Sequence, residues 1–176
     1  MKKLLLFYAF AALTLYSCNK SAAVKPHVDG TPGDTITATI DGTDETFNTN
    51  DSAGFHNTST FYSLPIEGLH DASATTDGIS IDEFSPTAIT TGTYVLDATH
   101  HTAPFYPLIV YATNGGKSLT DVYVVDYTGT HSATVTITSL TSTHVTGTFS
   151  ATLVVAAGSS SATKTVTNGK FSVELE

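Results

Sequence analysis

The chain has 176 residues and a formal charge of −9, and it contains neither arginine nor tryptophan. Sixteen carboxylates against seven lysines leave no basic surface of the kind that binds nucleic acid, so we expect no nucleic-acid partner. The single cysteine excludes an internal disulfide and a site built from several cysteines. Threonine occurs 33 times, and with Val, Ile, Tyr and Phe it favours β-strands. This composition predicts an all-β protein.

The first 17 residues have the layout of a secretory signal peptide. Two lysines are followed by an apolar stretch over residues 4–13, and Ser17 provides a small residue before the cut. The apolar stretch is shorter than the about 20 residues that a transmembrane helix needs. The ending Leu-Tyr-Ser-Cys18 resembles the lipobox of bacterial lipoproteins. That resemblance implies that Cys18 is acylated and anchors the mature protein in a lipid bilayer.

Residues 18–34 predict a flexible tether, because they contain Ser, Ala, Pro and Gly without a regular period. The rest of the chain, residues 35–176, is predicted to form one domain. Short alternating runs separated by turn residues predict about ten strands. The predicted strands cover residues 35–40, 45–48, 61–66, 79–84, 92–96, 105–112, 122–127, 132–140, 145–155 and 165–175.

Several local signals indicate how these strands are arranged. Asp41-Gly42 is typical of a two-residue hairpin turn, and Pro65 is expected at an edge or a bulge. The runs 105–112 and 122–127 are apolar on both faces, which favours central strands. Because no helical period follows the tether, we expect a single antiparallel β-sandwich or flattened β-barrel. The sequence leaves these two architectures open.

The C-terminal third carries two repeated patterns, V-x-G-T-F-S at residues 145–150 and T-N-G-x-F at residues 167–171. With the A-x-I-D-G strand at residues 38–42, they resemble a family of small Bacteroidota lipoproteins of unknown function. The resemblance implies an envelope-anchored β-domain and supplies no catalytic residues; Phe47 stands where such chains often have Trp. Gly147 indicates a bulge or a close backbone approach, and Asn168-Gly169 suits a turn with positive φ.

The same resemblance guides the expected location and modification. We expect the cell envelope, the outer membrane rather than the inner one, and the periplasmic face, because residues 19–22 lack the acidic run that resembles a surface-export signal. Secreted proteins of this group are often O-glycosylated at Asp-Ser/Thr followed by an apolar residue. Thr35 and Ser52 fit that pattern and are the candidate glycosylation sites.

Catalytic and metal chemistry find little support in the sequence. His70, His100 and His101, with Asp71 or Asp97, are candidate metal ligands, but their spacing does not match a known ligand pattern, so no metal site is predicted. The acidic tip at residues 41–45 does not match a calcium loop, and weak Ca²⁺ binding there stays open. Asp82 and Glu83 are adjacent and should point to opposite faces of a strand. We therefore predict no catalytic residue and no cofactor.

A ligand surface is the remaining hypothesis, since tyrosines are frequent in the middle strands. The candidates are Tyr94, Tyr106, Tyr111, Tyr123 and Tyr127. The expected function is non-enzymatic binding of a ligand or partner, either a glycan or an envelope protein. The alternatives are an envelope glycan hydrolase, which would need a deep cleft with two carboxylates about 5 to 10 Å apart, and an accessory carbohydrate-binding protein.

Overall fold

The computed structural model describes residues 34–58, 60–73, 75–101, 107–156 and 162–176. The predicted signal peptide, Cys18, nearly all of the tether and Tyr106 lie outside these residues. In chain order the strands are β1 (Thr35–Ile40), β2 (Thr43–Phe47), β3 (Thr49–Ala53), β4 (His56–Asn57), β5 (Tyr62–Leu69), β6 (Gly78–Ser85), β7 (Gly92–Leu96), β8 (Pro107–Ala112), β9 (Val122–Val125), β10 (Ala133–Leu140), β11 (His144–Val155) and β12 (Thr163–Glu174). Within these ranges, no helix has the length and apolar character needed to cross a membrane.

All twelve strands belong to one antiparallel sheet that is nearly closed and barrel-like. Its main order is β2-β1-β12-β11-β9-β8-β6-β5-β3. The two ends of this order are consecutive in the chain, because only Asn48 separates β2, which pairs with β1, from β3, which pairs with β5. The segment 43–53 thus connects the two ends of this nearly closed sheet. The all-β prediction is confirmed.

The sheet branches at β11. Along one side β11 pairs with β12, and on the other side its first part pairs with β10 while its last residues pair with β9. β10 in turn pairs with β7. The strands predicted to be central, β8 and β9, are each hydrogen-bonded on both sides.

The core fills the interior of the barrel through alternation along each strand. In β1, Ile36, Ala38 and Ile40 are buried, while the threonines between them are half-buried on the other face. Phe171 and Val173 of β12 are buried in the same core.

Two glycines receive phenylalanine rings from the neighbouring strand. The register places Gly147 opposite Phe171 and Phe149 opposite Gly169, so each G-x-F pattern supplies one glycine and one ring. The two rings lie stacked, with centroids 6.4 Å apart. A Cβ at Gly147 would meet the Phe171 ring and a backbone carbonyl, which confirms the predicted close approach. Such aromatic cover of strand glycines is a known device for fixing register.

Asn168-Gly169 lies at a β-bulge inside β12 and not in a turn. Asn168 has the expected positive φ of 53°, but it lies inside β12. Two residues of β12, 167 and 168, stand there opposite one residue of β11, so the pair forms a β-bulge. The local sequence is the same for a hairpin turn and a bulge, and only the pairing on both sides distinguishes them.

The predicted strand count was too low because β3 and β4 were missed. Both are short and polar, and they form by pairing along β5 rather than through their own propensity. Pro65 occupies the interruption between them. The Pro65 carbonyl accepts a bond from the Gly54 N–H at 3.3 Å, and Gly54 belongs to neither β3 nor β4. The nitrogen of Pro65, which has no hydrogen to donate, points to the same side of the strand as this carbonyl and therefore does not interrupt either strand's hydrogen bonds.

Candidate functional site

Four hairpins converge at one end of the barrel. They join β1 to β2, β5 to β6, β8 to β9 and β11 to β12. Because neighbouring strands in the main order run in opposite directions, all four connections lie at the same end. We call this end the hairpin mouth. Its polar and aromatic residues are Asp41, Glu45, Asp77, Tyr111, Tyr123 and Lys164.

Asp77 is held in place by two separate elements. The buried Tyr111 hydroxyl donates to Asp77 Oδ2 at 2.8 Å, and the Asn114 backbone N–H donates to Oδ1 at 3.0 Å. The pKa of Tyr111 is raised, first by burial, then by the bond to Asp77 and by the negative charges at Asp77, Glu45 and Asp41. The phenol therefore stays protonated and remains a donor to Asp77.

Asp41 and Lys164 form an ion pair beside this position. The Lys164 ammonium lies 2.8 Å from Asp41 Oδ2, and the Thr165 N–H donates to Oδ1 at 2.8 Å. The bond from Lys164 lowers the pKa of Asp41, and the same bond raises the pKa of Lys164. Asp41 and Gly42 both have positive φ, as a tight two-residue hairpin requires, so the predicted turn is confirmed.

Two of the five candidate tyrosines meet at the mouth. The rings of Tyr111 and Tyr123 have centroids 6.5 Å apart, and the Lys164 ammonium lies 5.7 Å from the Tyr123 centroid. Phe47 contacts Tyr111 from the interior in an edge-to-face arrangement at 6.3 Å. Tyr111 is buried and fixes Asp77, whereas Tyr123 is half-buried and reaches the surface.

The other candidate tyrosines do not join this pair. Tyr94 lies on β7, where its hydroxyl donates to the Thr90 carbonyl at 2.8 Å, and it packs against the core. Tyr127 follows β9 and also packs against the core. Tyr111 and Tyr123 are thus the candidate tyrosines that the structure brings together, and a ligand surface there stays a prediction.

The histidines named as metal candidates have separate partners. His70 lies 3.9 Å from Glu45, and His100 Nδ1 lies 2.9 Å from Asp97 Oδ1. His101 is exposed. Bonds from Thr99 and then from His100 lower the pKa of Asp97. Among the residues that the structure describes, no group of three or more His, Cys, Asp and Glu side chains is arranged to hold a metal ion.

A second group of carboxyls lies on β5 and β6, and its members are on both faces of the sheet. Asp82 is on the face away from the core, where the Ser80 hydroxyl donates to it at 3.1 Å. Glu83 points into the barrel beside Leu64, with 2% of the residue exposed, and its Oε2 has no hydrogen-bond partner among the described residues. The prediction that Asp82 and Glu83 face opposite sides is confirmed.

Burial is the largest cause of the raised pKa of both Asp82 and Glu83. It raises the pKa of Asp82 to about 7, with a further contribution from the charge of Glu67, and it raises the pKa of Glu83 to about 8. No local sequence pattern singles out Glu67, because its relation to Asp82 arises from cross-strand pairing. The same holds for Lys164, which lies 123 residues from its partner Asp41.

The candidate glycosylation sites lie on strands. Thr35 begins β1 opposite Ser172, and Ser52 lies in β3 opposite Glu67; both are half-buried. Glycosylation at either residue stays a prediction. No family model, curated protein or solved structure matches this chain.

Proposed function

We propose that this protein is a lipid-anchored component of the cell envelope whose β-domain binds a ligand or partner and catalyses no reaction. The support for anchoring comes from the N-terminal pattern that ends in Cys18 and from the resemblance to small Bacteroidota lipoproteins. An acylated Cys18 would hold the domain at the outer membrane, and the tether leads to its periplasmic side.

The observation that carries the binding proposal is the hairpin mouth. Its carboxylates at Asp41, Glu45 and Asp77 are hydrogen-bond acceptors, and Lys164 is a donor beside the half-buried Tyr123 ring. Fixed acceptors and donors around an aromatic ring suit a ligand with many hydroxyl groups. We therefore propose a glycan as the ligand class.

The alternative of a glycan hydrolase has weaker support. Such an enzyme needs two carboxyl groups across one cleft. Asp82 and Glu83 lie on opposite faces of β6, and the mouth acid Asp41 is already paired with Lys164. The mouth favours binding, since the bond from Lys164 lowers the pKa of Asp41, whereas a catalytic acid needs a raised pKa.

The proposal is tested by amide NMR titration of the full chain with neutral oligosaccharides and peptidoglycan disaccharides. We expect shifts confined to the hairpin mouth, and at least fivefold weaker binding in the double variant Asp41→Asn, Lys164→Gln. Lys170→Gln is the matched control, because Lys170 is exposed on the same strand but lies opposite Thr37 and Thr148, away from the mouth. Equal binding by the double variant, or no shift with any glycan, would contradict the proposal.

A further inference from the structure

A small recess opens on the outside of the barrel, away from the hairpin mouth. It forms where the chain leaves the ladder between β3 and β4, opposite Pro65. Its volume is about 130 Å³. The residues that matter for its chemistry are Ser52, Phe55, His56, Pro65, Glu67 and Glu176.

The recess is lined by acidic and apolar residues, and Glu67 and Glu176 are its acidic ones. Phe55 is 42% exposed, and it is one of two large apolar side chains in the described residues that are exposed to this degree. A phenylalanine ring and a proline beside carboxyl groups form a surface for a ligand that is cationic at one end and apolar along its stem.

The carboxyl of Glu67 forms no ion pair within the described residues. Ser80 bonds to both Glu67 and Asp82, and its single hydroxyl proton can serve only one of them at a time. The ion pairs among the described residues leave out both carboxyls, and His56 is the basic group that acts on Glu67. Burial raises the pKa of Glu67, as it does for Asp82. A bound cation would therefore satisfy a carboxyl that water solvates poorly.

The size and the ligand set distinguish between kinds of cation. Calcium takes six to eight oxygen ligands, and no group of three acidic or histidine side chains in the described ranges is arranged to hold a metal. A volume of about 130 Å³ is also below the roughly 300 Å³ at which pockets for larger organic ligands begin. An ammonium group on a short alkyl stem meets both limits.

We propose that this recess binds a primary alkylammonium group, with Glu67 and Glu176 facing the ammonium and with Phe55 and Pro65 against the methylene stem. A lysine side chain of a partner protein and a free alkylamine present the same chemistry. The site is independent of the hairpin mouth and of the glycan proposed to bind there.

Calorimetric or NMR titration of the full chain with n-butylammonium chloride tests this inference, with 1-butanol as the uncharged analogue. We expect saturable butylammonium binding that shifts amides of β3, β4 and β5, and no binding of 1-butanol. Glu67→Gln should weaken the binding at least tenfold. Glu174→Gln, which removes an exposed carboxylate from β12, is the control that should leave it unchanged.

Phe55→Ala provides a second test that does not depend on the buried carboxyls, because Phe55 is exposed and its loss should leave the melting temperature unchanged. It should weaken butylammonium binding at least threefold. A lysine-containing peptide that binds at least tenfold more tightly than butylammonium would identify a protein partner, and equal affinities would identify a free amine; both results support the site.

Equal binding of butylammonium by wild type and Glu67→Gln, or equal binding of butanol and butylammonium, would overturn the inference. The variants of Asp41 and Lys164 at the mouth should bind butylammonium as the wild type does. A failure at one site is therefore distinguishable from a failure at the other.

Discussion

Glu83 is an ionisable residue that is buried in an apolar environment. Its side chain lies among the buried apolar residues of β5, β6 and β8, and burial raises the pKa of its carboxyl to about 8. In the unfolded chain the same group ionises near pH 4.5. The folded protein therefore binds a proton that the unfolded chain releases between these two values.

The sign of the pH dependence follows from this difference. Stability should be highest below about pH 4.5 as far as Glu83 is concerned, should fall as the pH rises toward 8, and should level off above that. Asp82 acts in the same direction up to about pH 7. The lowered pKa values of Asp41, Asp97 and Asp126 make stability rise with pH in the acidic range. The effect of Glu83 on stability should therefore be measured between pH 5 and pH 9.

We expect Glu83→Gln to reduce the loss of stability between pH 5 and pH 9 by a few kcal/mol, on the order of 1.4 kcal/mol for each pKa unit. Urea unfolding of wild type and variant at both pH values measures this difference. Glu174→Gln, at an exposed position, is the matched control and should leave the pH dependence as in the wild type. Identical slopes for Glu83→Gln and wild type would show that Glu83 ionises normally in the folded protein.

At the scale of elements, the β11–β12 pair explains the two G-x-F patterns. Each glycine leaves room for the ring from the opposite strand, and the two rings then stack on the core side. The patterns that resemble a lipoprotein family thus have a structural explanation in packing, and they imply no binding role for these residues.

Gly147→Ala should destabilise the protein by about 2–3 kcal/mol or more, because the added Cβ would overlap the Thr136 carbonyl and the Phe171 ring. Thermal unfolding measures the effect. Gly54→Ala is the matched control, since a Cβ there meets only the Glu176 carbonyl oxygen, at an ordinary contact distance of 3.9 Å. If both variants melt at the same temperature, the close approach at Gly147 has no energetic importance.

The predicted elements agree with the structure where the sequence alternates strongly. Buried and more exposed residues alternate along most of β1, β10, β11 and β12, so the positions of these strands follow from the periodicity of the sequence. β3 has no such pattern and depends on β5 for its hydrogen bonds. Its formation is a consequence of barrel closure, which no local window of sequence contains.

At the scale of the whole molecule, the proposed lipid at Cys18 would set the location, and the barrel carries the hairpin mouth and the recess as separate surfaces. Residues 35–176 contain 14 carboxylates and three lysines, a net charge of −11, which repels the domain from anionic surfaces.

Cys18→Ser should transfer the protein from the membrane fraction to the soluble fraction when it is expressed in a bacterium with lipoprotein processing, because no acyl chain can then be attached. Fractionation followed by immunoblotting measures the distribution. Ser17→Ala keeps a small residue before the cysteine and is the control that should remain in the membrane fraction. Membrane retention of Cys18→Ser would contradict lipid anchoring.

The sequence by itself determined the fold class, the hairpin turn at Asp41-Gly42 and the inward faces of the long strands, since each depends on residues that are neighbours in the chain. It also carried the whole prediction of Cys18 as an anchor. Only the tertiary structure decided that the sheet closes, that Lys164 meets Asp41, and that Glu67 lies beside Asp82. These relations join residues from distant strands, and their register is set by the packing of the complete core rather than by any local pattern.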